Sequence, residues 1–138
     1  MATIQVEVEI NAPIEKVWDI VSDIDNEPKF WKGTKEVRNI SKEGNTTNRE
    51  VTIAFRDQKC LQQVKIHPKE KIEVRFTKGI IDGEKIVSLS TKGEKTILST
   101  HWDIKLTGMM GMFTGIIKKH IKSGTEQAMQ SIKEEIER

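Results

Sequence analysis

Hydrophobic residues in this chain recur at every second position for most of its length and then, past Gly108, at every third or fourth. That change of period restricts the chain to a sheet followed by a helix, because side chains alternate across a strand but return to one face of a helix every 3–4 residues. Ile4, Val6, Val8 and Ile10 alternate with Gln5, Glu7 and Glu9, the pattern of a half-buried antiparallel strand. Pro13 then suits the first turn of a helix, with Glu15 near its positive end. In that helix Val17, Ile20, Val21 and Ile24 share a face that Trp18 widens. Asp23, Asp25, Asn26 and Pro28 end it, and a short connector carries Phe30 and Trp31.

From Thr34 to Leu106 the pattern is strand and tight turn, repeated. Val51, Ile53 and Phe55 alternate; so do Cys60, Gln62, Val64 and Ile66, then Ile72, Val74 and Phe76, and finally Leu98, Thr100, Trp102, Ile104 and Leu106. Turn signals separate them at 42–45, Arg56-Asp57-Gln58, His67-Pro68-Lys69-Glu70, Asp82-Gly83 and Lys92-Gly93-Glu94. Connections this short cannot make parallel crossovers, so the strands form an antiparallel meander. Segments 35–41 and 84–91 alternate poorly and leave their register open.

Beyond Gly108, Phe113, Ile117, Ile121, Gly124, Ala128, Ile132 and Ile136 step at helical spacing, predicting one amphipathic helix over about 110–136. The expected fold is α+β: a seven-stranded curved antiparallel sheet wrapped around a long C-terminal helix, the only element long enough to cover its apolar face. Ile117, Gly124 and Ala128 are expected to face the sheet, the two small residues marking the closest approach.

Composition narrows the function. The 138 residues read as one domain over 1–138, with 36% hydrophobic and 32% charged residues. A net charge of +2, with each Lys run interrupted by acidic residues, argues against nucleic-acid binding. The single cysteine, Cys60, excludes an internal disulfide or a thiolate metal cage. With no basic-then-apolar leader and no apolar run of about 20 residues, a cytoplasmic location is expected.

Three local patterns carry a resemblance. Ile10-Asn11-Ala12-Pro13-Ile14-Glu15-Lys16-Val17-Trp18 resembles the first strand–helix junction of the START/Bet v 1-like (SRPBCC) superfamily. Asp23-Ile24-Asp25-Asn26-Glu27-Pro28-Lys29-Phe30-Trp31 resembles the connector of polyketide cyclase/dehydrase-type and coenzyme-Q-binding START proteins, and Gly93-Glu94-Lys95-Thr96 resembles the turn before their last strand. The resemblance spans essentially the whole chain and implies a helix-grip fold with a cavity for a lipid, isoprenoid or polyketide-like compound. It does not choose between a carrier, a cyclase or dehydratase, and an adaptor that uses exposed apolar loops. Carriage of a small apolar ligand asks least of the sequence and leads; neither a catalytic residue, a cofactor nor a metal is expected.

The candidate ligand-contacting residues are Trp31, Phe55, Gln62, Phe76, Ile80, Ile81, Trp102, Met109, Met112, Phe113, Ile117 and His120. The aromatic residues among them either line a pocket or fill a core. Gln62 interrupts an apolar strand face, and a buried amide needs a partner: a ligand headgroup, water or a neighbouring protein group. His120, at the edge of the helical stripe, suits a polar ligand contact or a structural role. The inner faces offer few other polar groups, mainly Gln62 and His120. His101 and Asp103 sit two apart on the last strand as an acid–base pair would, but Trp102 and Ile104 claim the inner face and leave them to solvent. Ile80, Ile81 and Met109 to Phe113 fall at one end of the meander, where glycines would let an apolar gate move and touch a membrane or donor protein.

Overall fold

The computed structural model describes residues 2–138. Strand β1 (Ala2–Ile10) leads into helix α1 (Ile14–Val21), a 3-10 turn (Ile24–Asn26) and the short helix α2 (Glu27–Phe30). Strands β2 (Thr34–Glu43), β3 (Thr46–Ile53), β4 (Lys59–His67), β5 (Lys71–Lys78), β6 (Ile81–Lys92) and β7 (Lys95–Leu106) follow. A 3-10 segment (Gly108–Phe113) then enters helix α3 (Thr114–Glu137). The seven strands form one antiparallel sheet in the order β1-β7-β6-β5-β4-β3-β2, with β1 closing onto β7 so that Ile4 lies opposite Trp102. This is the expected helix-grip architecture.

The two poorly alternating segments are strands for which pattern reading has a physical obstacle. β2 is an edge strand, largely solvent-exposed, and its register shifts at Thr34/Glu36 and again at Asn39/Ser41. β6 points Lys85 inward between Ile81 and Val87, while Ile86 lies on the outer face, so charge and hydrophobicity are exchanged across the strand.

Two turn assignments change. β3 ends at Ile53, and Phe55 belongs to a 3-10 turn (Phe55–Asp57) in which Arg56 and Asp57 take positive φ, so the alternation Val51, Ile53, Phe55 does not continue as strand. Asp82-Gly83 is not a turn: both lie within β6, and the reversal falls at Gly79 and Ile80. Gly83 has φ 127° and faces β7 so closely that a Cβ would sit 2.1 Å from the Asp103 carbonyl oxygen. The glycine marks a close strand approach rather than a hairpin.

Helix α3 is held unevenly. Met129, Ile132 and Ile136 are buried in a core with Val17, Trp18, Val87 and Leu98. Polar bonds pin the same end: Lys133 Nζ donates to the Glu9 carbonyl at 2.6 Å, and the Asn11 amide donates to Glu137 at 2.7 Å. Toward its N-terminus Ile117 and Ile121 are only partly buried and Ile116 is exposed. Gly124 does not mark a close helix–sheet approach, for a Cβ built on it meets nothing within 4 Å. Ala128, one turn later, is fully buried. The helix is therefore clamped at its C-terminal half and stands off the sheet at its N-terminal half.

Candidate functional site

The space beneath the raised half of α3 is a cavity of about 180 Å³. Its walls come from the connector (Trp31), β5 (Val74, Phe76), β6 (Ile81), β7 (Trp102, Leu106) and α3 (Ile117, Ile121, Gly124, Thr125). Trp102 organises the aromatic wall. Its ring stacks on Phe76 with centroids 6.3 Å apart and meets Trp31 edge-on at 6.4 Å. Its indole N–H donates to Thr125 Oγ1 at 3.1 Å, and that hydroxyl donates to the Ile121 carbonyl at 2.7 Å. One hydrogen-bonded chain thus fixes the height of α3 above the sheet at the cavity, where apolar packing is sparse.

The inner end is charged. Arg49, 1% exposed, donates to Glu27 Oε1 at 2.6 Å, to Gln62 Oε1 at 2.9 Å and to the Ile24 carbonyl at 3.2 Å. Glu27 accepts a second bond from Thr34 Oγ1 at 2.8 Å. Burial opposes ionisation of Glu27, but the fields of Lys85 and Arg49 and the bonds from Arg49 and Thr34 outweigh it and hold the carboxyl at about 2. Lys85, 5% exposed, is pushed down to about 8 by burial; Glu27 resists that shift and Arg49 adds to it. Its ammonium lies 3.4 Å from the Trp31 ring centroid and 5.0 Å from that of Trp102. Cation–π contact of this kind is worth about 2 kcal/mol when desolvated.

The cavity opens past Ala54, Phe55, Leu106, Ile117 and His120, which also line an outer groove of about 400 Å³ floored by Met110, Phe113 and Ile116. The structure brings nine of the candidate residues to the cavity: Trp31, Phe55, Gln62, Phe76, Ile80, Ile81, Trp102, Ile117 and His120. Phe113 lines only the outer groove, and Met109 and Met112 stand in solvent, 90% and 80% exposed. Ile81 is a buried strand residue rather than part of a loop rim. His120 is exposed at the mouth. Gln62 finds its partner in Arg49.

The inner face is richer in charge than expected, since Glu27, Arg49 and Lys85 line the cavity beside Gln62. For Arg49 and Lys85 the signal was periodicity: Arg49 is in phase with Val51 and Ile53, and Lys85 with Val87 and Leu89. Cys60 and His101 are not among the residues that line the cavity. Burial pushes the Cys60 thiol up, away from a nucleophilic thiolate. His101 lies on the outer face, its Nδ1 2.9 Å from Gln5 Oε1.

A curved sheet and a long helix enclosing an apolar cavity define a START-type helix-grip protein. The chain belongs to the polyketide cyclase/dehydrase and lipid transport family, whose sequence model matches residues 1–137. Its fold is similar to that of TTHA0849 from Thermus thermophilus, at 17% identity and TM-score 0.83, covering 98% of this chain and 97% of that one. It is similar to the Zhui aromatase/cyclase from Streptomyces sp. R1128 at 13% identity and TM-score 0.80, covering 99% and 94%. A START superfamily protein from Mycobacterium smegmatis matches at 19% identity and TM-score 0.77, covering 98% and 97%. No curated protein sequence matches this chain at a significant level. Family and fold are consistent with hydrophobic-ligand binding and with cyclase or dehydrase activity.

Proposed function

We propose that this protein binds and carries a small hydrophobic molecule in the cavity between the sheet and α3, without transforming it. The observation that supports this reading most is the cavity itself: about 180 Å³, with aliphatic and aromatic walls and a way out beside Ile117 and His120. A cavity of roughly 150 Å³ in an engineered core already accepts benzene. The charged groups at its inner end are engaged with one another or with ring faces, and Glu27 is held ionised, so it does not serve as a general acid near neutral pH. The exposed rim of Met109, Met112 and Ile116 is the entrance we assign to the ligand, where a membrane or donor protein would make transient contact.

Mass spectrometry of protein purified without denaturation should reveal a retained apolar compound. Trp31 and Trp102 should report binding of added apolar alcohols such as 1-octanol by a change in fluorescence. Protein that carries nothing and whose fluorescence ignores 1-octanol up to its solubility limit would overturn the carriage reading.

A further inference from the structure

The three buried charges at the inner end of the cavity do not cancel. Glu27 carries one negative charge, and its two oxygens are taken by Arg49 and by Thr34. Arg49 is satisfied by Glu27, Gln62 and the Ile24 carbonyl. Lys85 is the surplus cation: among the described residues its ammonium has no ion-pair partner within 4.0 Å, it lies against the rings of Trp31 and Trp102, and the Glu27 carboxylate whose field it feels is already bonded to Arg49. The side chain is 5% exposed and lines the cavity. A buried ammonium that shares its one carboxylate with a second cation and makes no hydrogen bond to it is costly, and a carboxylate brought in by a ligand would lower that cost and gain a charge-assisted hydrogen bond.

We propose that the ligand is an amphipathic acid, bound with its apolar part along the Trp102 wall and its carboxylate on Lys85. The inference rests on the carriage reading and deepens it by naming the head group. Arg49 cannot play this part without giving up Glu27, whereas Lys85 gives up only ring contacts. Although burial holds the amine at about 8, Lys85 is still mainly charged at pH 7, and an incoming carboxylate favours that form further.

The test compares three probes with one chain length and different heads, octanoate, 1-octanol and octylammonium, titrated into the full chain at pH 7 with tryptophan fluorescence as the readout. The expected order of affinity is carboxylate over alcohol over ammonium, with octanoate about tenfold or more tighter than octanol, as one charge-assisted hydrogen bond would give. Lys85→Met, which keeps the stem and drops the charge, should weaken octanoate about tenfold and leave octanol within about threefold. Equal binding of octanoate and octanol by the unaltered protein, or tightest binding of octylammonium, would overturn the head-group assignment and leave the carriage reading intact. A preference for octanoate that survives in Lys85→Met would overturn it too. Failure of all three probes to bind would overturn carriage itself. The head-group order on the unaltered protein decides the matter even where Lys85→Met does not fold.

Discussion

Glu27 holds two buried cations, and that makes it the residue on which the inner end of the cavity depends. Its replacement by Gln leaves Arg49 and Lys85 facing each other in a dry site, and breaking a buried pair in this way costs about 3–5 kcal/mol. Urea unfolding should show that loss at pH 7. The same residue sets the acid limb: held at about 2 against an ordinary 4.5, Glu27 contributes stability that is complete above pH 4.5 and disappears as pH falls toward 2. The Glu27→Gln protein should lack that component of acid unfolding. Lys85, whose charge burial disfavours, costs stability while it is protonated. It titrates near 8 when folded and at 10.5 when unfolded, so between those values the unfolded chain binds more protons and stability rises with pH. The difference between the native protein and Lys85→Met, followed by urea unfolding from pH 7 to 10.5, should change by on the order of 2–3 kcal/mol across that window. A flat difference would show that Lys85 is solvated. Lys85 did not stand out in the sequence, because a charged residue in phase with a hydrophobic stripe reads as a break in the stripe. Only the fold shows that Glu27, from a connector more than 20 positions away, meets Arg49 there.

At the scale of elements, α3 carries two jobs that its sequence pattern does not distinguish. The helical spacing of Ile117, Ile121, Gly124, Ala128, Ile132 and Ile136 is regular throughout, and it made the helix legible. The same regularity concealed that the helix is clamped by Met129, Ile132 and Ile136 and raised at Ile117 and Ile121, since period reports which face turns inward and not how far away the sheet is. Gly124 looked like a close-contact residue for that reason and in fact borders open space. Gly124→Leu should therefore keep or raise the melting temperature, because a glycine in a helix interior costs about 1 kcal/mol relative to a good helix former. The added side chain should displace 1-octanol from the cavity. A lowered melting temperature with binding retained would place Gly124 against the sheet. The strands follow the same logic. β4, β5 and β7 read cleanly, whereas β2 was obscured by bulges and β6 by the inward Lys85. Gly83 imitated a turn because close strand approach and chain reversal both call for glycine.

In the whole molecule the meander sorts its connections into two unlike ends. The β2–β3, β4–β5 and β6–β7 turns gather at one end and are polar, while the Phe55 turn, Gly79-Ile80 and the 3-10 segment Gly108–Phe113 gather at the other. The clamped half of α3 lies away from the second end, and cavity and groove share their walls between the Phe55 turn and the start of α3, where the proposed carriage would have its ligand path. Thr107 ties that rim to the β5–β6 turn, its amide donating to the Ile80 carbonyl at 2.8 Å and its hydroxyl to the Gly79 carbonyl at 3.1 Å. Met109 and Met112 project from the rim into solvent, where they add nothing to the core. A net charge of +2 is too small to steer a ligand from a distance, so the carriage proposed above would rely on apolar contact at the rim for capture. Met109→Asp with Met112→Asp should consequently change stability by no more than about 0.5 kcal/mol per site, as exposed positions do. The same pair should slow the entry of 1-octanol several-fold in stopped-flow tryptophan fluorescence, an uncharged probe that the new carboxylates do not repel. Delivery from phosphatidylcholine vesicles should slow more than delivery from solution, because the rim then meets the bilayer before the ligand does. Unchanged entry rates from both sources would remove the rim from the path and place the opening elsewhere around α3.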